Sequence, residues 1–243
     1  MMDDMFMRSR ILLGDAGMEK LQNSRVLLFG LGGVGGHAAE ALARCGVGHL
    51  SLVDHDVVAP SNLNRQLIAT RETIGQKKVD VMAKRLYSIR PDISLSLYPV
   101  FYLPGSGEPA LDGYDYILDA IDTVSAKVAL AKEAFTKNIP LISCMGTGGK
   151  LDPTQLEVAD IFETSVCPLC RAMRQQLKKA GVPHLKVVYS KEPPAPRADV
   201  PEAEGDSQKR QTVGSVSFVP SVAGLILAGE VVRELTKGLR PVR

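Results

Sequence analysis

The chain of 243 residues has no tryptophan, only 5% aromatic residues and four cysteines, Cys45, Cys144, Cys167 and Cys170. Four cysteines spread this way make no dense disulfide framework, and in a cytosolic chain they read as thiols or metal ligands. The start, MMDDMFMRSR, has acids where a signal peptide needs a basic region, and no apolar run follows, so secretion is not expected. A long apolar run is also missing. The most apolar late segment, Phe218 to Leu235, is interrupted by Pro220, Glu230 and Arg233, and reads as a buried or dimer-facing helix rather than a membrane span. No membrane association is expected, and a cytoplasmic location is. The formal net charge of +2 does not announce nucleic acid, although a local basic patch remains open. What is present is ordinary for a soluble globular protein, 45% hydrophobic and 23% charged residues, at a length that suits one or two domains with a substantial core.

The informative stretch is Arg25 to Gln66. An apolar run, Val26 to Phe29, reads as a buried strand and leads into Gly30-x-Gly32-x-x-Gly35 and an alanine-rich helix. A second apolar run, Leu50 to Val53, ends on Asp54. Strand, glycine turn, helix, strand and acid, with the acid roughly 20 residues on where a ribose hydroxyl needs it, form the dinucleotide-fold fingerprint in its full context. Gly30 suits the tight turn, Gly32 the approach of backbone N–H groups to a phosphate, and Gly35 a close helix–strand contact. The fingerprint predicts a nucleotide without saying which. A nicotinamide- or flavin-dependent oxidoreductase is the ordinary reading. Beyond Asp54, however, Asp56 and then Ser61-Asn62-Leu63-Asn64-Arg65-Gln66 place amides and a cation just past the ribose site, which suits a triphosphate better than a nicotinamide.

The first half alternates strand and helix: a helix over Ile74–Ile89 with Val79, Met82, Ala83 and Leu86 on one face, strands over Ile93–Val100, Tyr114–Leu118 and Pro140–Met145, and a helix over Ser125–Lys137. This predicts an α/β fold, a Rossmann-like, doubly wound and mostly parallel sheet. Residues 1–150 are expected to form the nucleotide-binding part. Residues 151–243 form a C-terminal substrate or dimer part that continues the same domain and adds strands over Leu156–Phe162 and Leu185–Tyr189 around a basic helix, Pro168–Lys179. Pro, Ala and charges without apolar periodicity predict a mobile loop near 191–213, followed by a short strand over Val216–Val219 and a last helix with Pro220 in its first turn.

A magnesium–triphosphate site needs amides for phosphate, cations for developing charge and a carboxylate for the metal. Asn62, Arg65, Lys78 and its neighbour Lys77 answer the first two needs, and Asp122 lies just past the fourth strand, where open α/β sheets place ligands. Taken singly, Arg65 and Lys77 read equally well as solvated charges, and Asp122 as a cap for the following helix.

The run GLGGVG…VDHD…SNLNRQ…GQKKV…DAIDT is similar to the ubiquitin-activating superfamily and its bacterial members ThiF and MoeB. The resemblance implies carboxylate adenylation by ATP with release of pyrophosphate. It implies that Gly33 faces the phosphates, Asp54 holds the ribose, Asn62, Arg65 and Lys78 hold the phosphates, and Asp122 the magnesium. It further implies a homodimer in which Arg8 or Arg10 reaches the partner's ATP site. ThiF- and MoeB-type chains carry two CxxC pairs for one structural zinc. This chain has Cys167-Pro168-Leu169-Cys170 and no second pair, and His184 matches no common zinc spacing, so zinc is not expected and two helix-entry thiols are.

The second half, through Asp152-Pro153-Thr154, Ser165-Val166-Cys167-Pro168-Leu169, Arg171-Ala172-Met173-Arg174 and Gly214-Ser215-Val216-Ser217-Phe218-Val219-Pro220, resembles the tRNA threonylcarbamoyladenosine dehydratase family, nearly end to end. That implies ATP-dependent activation of the modified nucleoside's carboxylate in tRNA, then ring closure. A monovalent cation and sulfur-transfer partners accompany some relatives. Arg171, Arg174, Lys178, Lys179 and Lys186, with Lys209 and Arg210, are candidates for the tRNA backbone, and Cys144 reads as a packed thiol. The alternatives are activation of a ubiquitin-like or sulfur-carrier protein tail and, from another class, a nicotinamide-binding oxidoreductase or redox sensor.

Overall fold

Strands β1 (Arg25–Phe29) and β2 (His49–Val53) each bury their last four residues, and β4 (Tyr116–Asp119) is buried throughout. Unbroken burial of this kind marks strands covered by helices on both faces. A computed structural model describes residues 4–103, 105, 108–196 and 213–239. The other strands are β3 (Ser94–Tyr98), β5 (Leu141–Cys144), β6 (Leu156–Asp160) and β7 (Lys186–Ser190). The helices are α1 (Met7–Asn23), α2 (Gly35–Cys45), α3 (Lys78–Ile89), α4 (Val124–Thr136), α5 (Pro168–Ala180) and α6 (Phe218–Leu235).

One seven-stranded sheet runs in the order β3-β2-β1-β4-β5-β7-β6. All neighbouring pairs are parallel except β6 against β7, which runs antiparallel from Leu156↔Ser190 to Asp160↔Lys186. The chain reverses its winding between β1 and β4. In such sheets the carboxyl ends flanking that switch form the ligand crevice.

The core has three parts. The largest joins α2, α3 and α6 to the sheet through Leu28, Leu42, Met82, Leu86, Leu227 and Val231. A second lies under α5, and a third joins Leu27, Phe29 and Ile117 to α4. α6 meets α2 backbone to backbone: a Cβ on Gly224 would lie 2.3 Å from the Val34 carbonyl oxygen. Among the described residues no helix is long and apolar enough to cross a membrane.

Two expected elements differ, one helix was not expected, and one loop is partly ordered. The helix expected from Ile74 begins at Lys78, because Gly75 takes φ +84° and Val57 bridges Lys77. Residues 216–219 form no strand. Their chain is irregular to Ser217 and helical from Phe218, and the Ser215 carbonyl accepts from the Asn64 side-chain amide instead of a neighbouring strand. The N-terminal segment is helical, with a break at Gly14 (φ 72°, ψ 170°), so Arg8 and Arg10 sit on α1. Of the loop expected near 191–213, residues 191–196 are tied down. Lys191 N–H donates to the Gln155 carbonyl at 3.0 Å, Ala195 N–H donates to Gly149 at 2.8 Å, and the Glu192 carboxylate accepts from Leu151 and Asp152. Residues 197–212, with Lys209 and Arg210, lie outside the described residues.

Candidate active site

The glycine turn forms because two positions exclude a side chain. Gly30 takes φ +88°, donates its N–H to the Val53 carbonyl at 2.8 Å and lies against Ala120, where a Cβ would approach the carbonyl oxygen to 2.7 Å. At Gly35 a Cβ would stand 1.8 Å from the Gly30 carbonyl oxygen. Asp54, at the end of β2, locks onto this turn. Its Oδ2 accepts from Leu31 N–H at 2.6 Å and its Oδ1 from Asp56 N–H at 2.8 Å. The carboxylate is thus aimed before any ligand arrives.

Asp56 and Lys78 join the same edge. Lys78 Nζ donates to Asp56 Oδ2 at 2.7 Å and Lys78 N–H to the Asp56 carbonyl at 3.0 Å. The lysine side chain is 5% exposed and the aspartate 49%, so the pair opens toward solvent on its acidic side. His55 Nε2 stands 3.1 Å from Asp56 Oδ1, and its ring packs edge-on against Phe101.

Asn62 Oδ1 accepts from Ala59 N–H at 3.0 Å, which holds the short helical turn over Pro60–Asn62. Arg65 is braced by its own loop, Nη1 donating to the Ser61 carbonyl and to Asn64 Oδ1, both at 2.9 Å. Asn64 in turn donates to Ser215, and Pro220 and Arg65 crowd Gly33, with carbons 3.2 and 3.4 Å from where a Cβ there would lie. The result is a cleft of ≈ 340 Å³ walled by His37, Arg65, Gln66, Ser217, Phe218 and Ser221. The sequence reading missed this wall because α6 is remote in sequence and carries no nucleotide motif.

Asp122 lies on the turn after β4 and is exposed. It accepts from the Thr123 hydroxyl at 3.3 Å, and α4 starts without a side-chain cap, so the capping role open at Asp122 is not taken. The structure therefore groups Gly30, Gly32, Gly33, Gly35, Asp54, Asp56 and Lys78 closely and puts Asn64 and Arg65 beside them. Arg8 is exposed and Arg10 pairs with Asp15 at 3.3 Å; among the described residues neither bonds to this group. Also missed was a buried cluster of Asp119, Lys127 and Ser143 beneath the Asp122 turn.

In the second half, Cys167 is the residue before α5, with Pro168 opening the helix. The Cys170 thiol donates to Cys167, and the N–H groups of Cys170, Leu169 and Gly146 add to it; together they hold the Cys167 thiol well below its ordinary range. The same contact and burial push Cys170 up. Burial pushes Cys144 up to about 12, in keeping with a packed thiol. His184 packs against the Phe135 ring, and all four cysteines are free. The basic cluster is partly spent on the fold: Arg174 donates to the Thr164 carbonyl at 2.9 Å, and Lys186 pairs with Glu230 and Glu234. Arg171, Lys178 and Lys179 stay exposed.

The model of the ThiF family matches residues 6–241. The chain belongs to the ThiF family. Within it, the tRNA threonylcarbamoyladenosine dehydratase of Bacillus subtilis is 43% identical over 242 residues, covering 96% of this chain and 95% of the relative. The Escherichia coli protein of the same name is 39% identical over 168 residues, 69% of this chain and 63% of that one. The solved structure of the E. coli dehydratase TcdA in complex with ATP superposes with a TM-score of 0.85 at 30% identity, covering 97% of this chain and 96% of that one. A TcdA complex with AMP matches with a TM-score of 0.84.

Proposed function

We propose that this ThiF-family chain is an ATP-dependent tRNA threonylcarbamoyladenosine dehydratase. The carrying observation is the end-to-end match to the B. subtilis dehydratase, 96% of this chain against 95% of that one. It includes the segment leading into α6, which walls the cleft beside the glycine turn. A carboxylate is a poor electrophile because its oxygen leaves badly. ATP transfers AMP to that oxygen and pyrophosphate departs. A nucleophile of the same modification then attacks the acyl carbon, AMP leaves with the oxygen, and the net change in the nucleoside is the loss of one water. Ring closure within one substrate needs mainly positioning, which can supply on the order of 7–11 kcal/mol. No protein nucleophile is required, which agrees with the buried, protonated Cys144.

The residues present fit this chemistry. Asp54, held by two N–H groups, offers its remaining lone pairs to the ribose hydroxyls. The N–H groups around Gly32 and Gly33, with Asn62, Asn64, Arg65 and Lys78, face the phosphates, and Asp56 keeps the Lys78 ammonium aimed. One exposed carboxylate, Asp122, suits magnesium, which takes few protein ligands and several from water and phosphate. When bound there, magnesium would neutralise triphosphate charge. We further propose a homodimer in which Arg8 or Arg10 of one protomer completes its partner's site, and a tRNA surface that includes Arg171, Lys178 and Lys179.

The test is incubation with ATP and tRNA bearing threonylcarbamoyladenosine, in parallel with ATP and a carrier-protein tail. The expected products with tRNA are AMP, pyrophosphate and a nucleoside lighter by one water. Pyrophosphate release with the tail alone would overturn the reading.

A further inference from the structure

Lys127 is a fully buried lysine in the early part of α4. All three of its ammonium protons are used: on Asp119 Oδ2 at 3.0 Å, Ser143 Oγ at 3.1 Å and the Cys144 carbonyl at 2.7 Å. Ser143 Oγ donates to Asp119 Oδ2 at 2.6 Å, and Asp119 Oδ1 accepts from Ile121 N–H at 3.0 Å. One side chain thus ties together the carboxyl ends of β4 and β5 and the start of α4. Those are the elements that border the turn carrying Asp122. The start of the turn is also tied to β1, where Ala120 N–H donates to the Phe29 carbonyl at 2.8 Å.

Stability alone does not account for such a cluster. Desolvating two charges largely cancels their attraction, and an apolar pair of similar volume commonly serves as well or better. What an apolar pair cannot do is fix the direction of the Asp119 carboxylate and, through Ile121 N–H, the backbone one residue before Asp122. We infer that Lys127 is a positioning residue: through Asp119 it sets the turn that presents Asp122 to the divalent ion travelling with ATP. The inference rests on the magnesium role given to Asp122 above.

The test is a double-mutant cycle between this cluster and Asp122, with Mn²⁺ as the probe ion. The pair Lys127→Met/Asp119→Leu removes both buried charges together and is expected to fold; Ser143→Ala is a milder variant of the same cluster. Circular dichroism and thermal unfolding check the fold, and calorimetry with AMP checks the nucleotide site. Mn²⁺ binding in the presence of ATP is followed by the magnetic-resonance signal of the free ion. The expected result is unchanged AMP affinity and Mn²⁺ binding weakened about 10–100-fold in the charge-free pair, with a smaller loss in Ser143→Ala. In an Asp122→Ala background neither variant should weaken Mn²⁺ binding further, since both act through that one carboxylate. Wild-type Mn²⁺ affinity in the folded variants, or losses that add to that of Asp122→Ala, would overturn the inference. If the charge-free pair fails to fold, Ser143→Ala decides by the same measurement. Failure of the proposed function is read separately, by wild-type protein that releases no pyrophosphate with modified tRNA.

Discussion

Two lysine–aspartate pairs stand at the carboxyl edge of the sheet, and they differ in one respect. Lys78–Asp56 and Lys127–Asp119 have nearly the same separation, 2.7 and 3.0 Å. The Asp56 side chain is 49% exposed, whereas that of Asp119 is 1% exposed. The open pair can release its lysine to an incoming phosphate, with water replacing the ammonium on the aspartate. The closed pair has no water to replace anything, so its ammonium stays where the fold put it. Identical chemistry is therefore a ligand contact in one place and a strut in the other, and the surroundings decide which.

The sharpest way to break this comparison is to remove one aspartate at a time. Asp119→Leu leaves the Lys127 ammonium buried and unpaired, and should cost about 3–5 kcal/mol in denaturant unfolding. Adding Lys127→Met should recover most of that loss. Asp56→Ala should cost less, because water on the open side of the pair can reach the Lys78 ammonium that it leaves behind. Equal losses at the two aspartates would end the distinction. Next in size is turnover. Lys78→Ala and Asp122→Ala should each lower it on the order of 10²–10³-fold in single-turnover assays while thermal midpoints hold. Near-normal rates would return both to the role of surface charges.

A smaller effect concerns the proposed tRNA surface. Reversing Arg171, Lys178 and Lys179 should weaken tRNA binding and flatten its dependence on salt, with ATP binding unchanged by calorimetry. Arg174 is left out of that set because its guanidinium serves Thr164. The smallest effect is one of pH. The Cys167 thiol is lowered from its ordinary 9.0 by the Cys170 thiol and three N–H groups. A group lowered in the folded state adds stability that is complete above its unfolded value and fades as the pH falls toward its folded one. The stability gap between wild type and Cys167→Ser should therefore shrink steadily as the pH falls below 9.0. A gap independent of pH would show that the contacts do not favour the thiolate. In the same preparations, metal analysis should find no stoichiometric zinc.

The motif half of this site was legible because it is local. Gly30, Gly35 and Asp54 lie on one strand–turn–helix–strand unit, where spacing alone implies contact, and the structure closes it through Leu31 N–H. Asp119 and Lys127 were not legible. Lys127 sits in a helix where a lysine ordinarily faces water, and its partners come from two different strand ends. The strand read at 216–219 failed for a related reason: β-branched residues favour a strand only where an edge is free to pair, and Ser215 was already engaged by Asn64. Helix α1 escaped notice because few of its apolar residues are buried. Met18 and Leu21 face the core, but Ile11 and Leu12 are exposed and Gly14 breaks the period.

The contact between Gly224 and the Val34 carbonyl has a consequence for synthesis of the chain. β1, α2 and the glycine turn leave the ribosome early; α6, whose Pro220 closes on Gly33, is the last described helix to emerge. Until it does, the face of α2 that it covers is bare and the wall of the cleft is missing. The nucleotide motif is translated first but finished last. A nascent chain should therefore show its sheet before it can grip ATP, and its bare α2 face is a place for a chaperone to hold meanwhile.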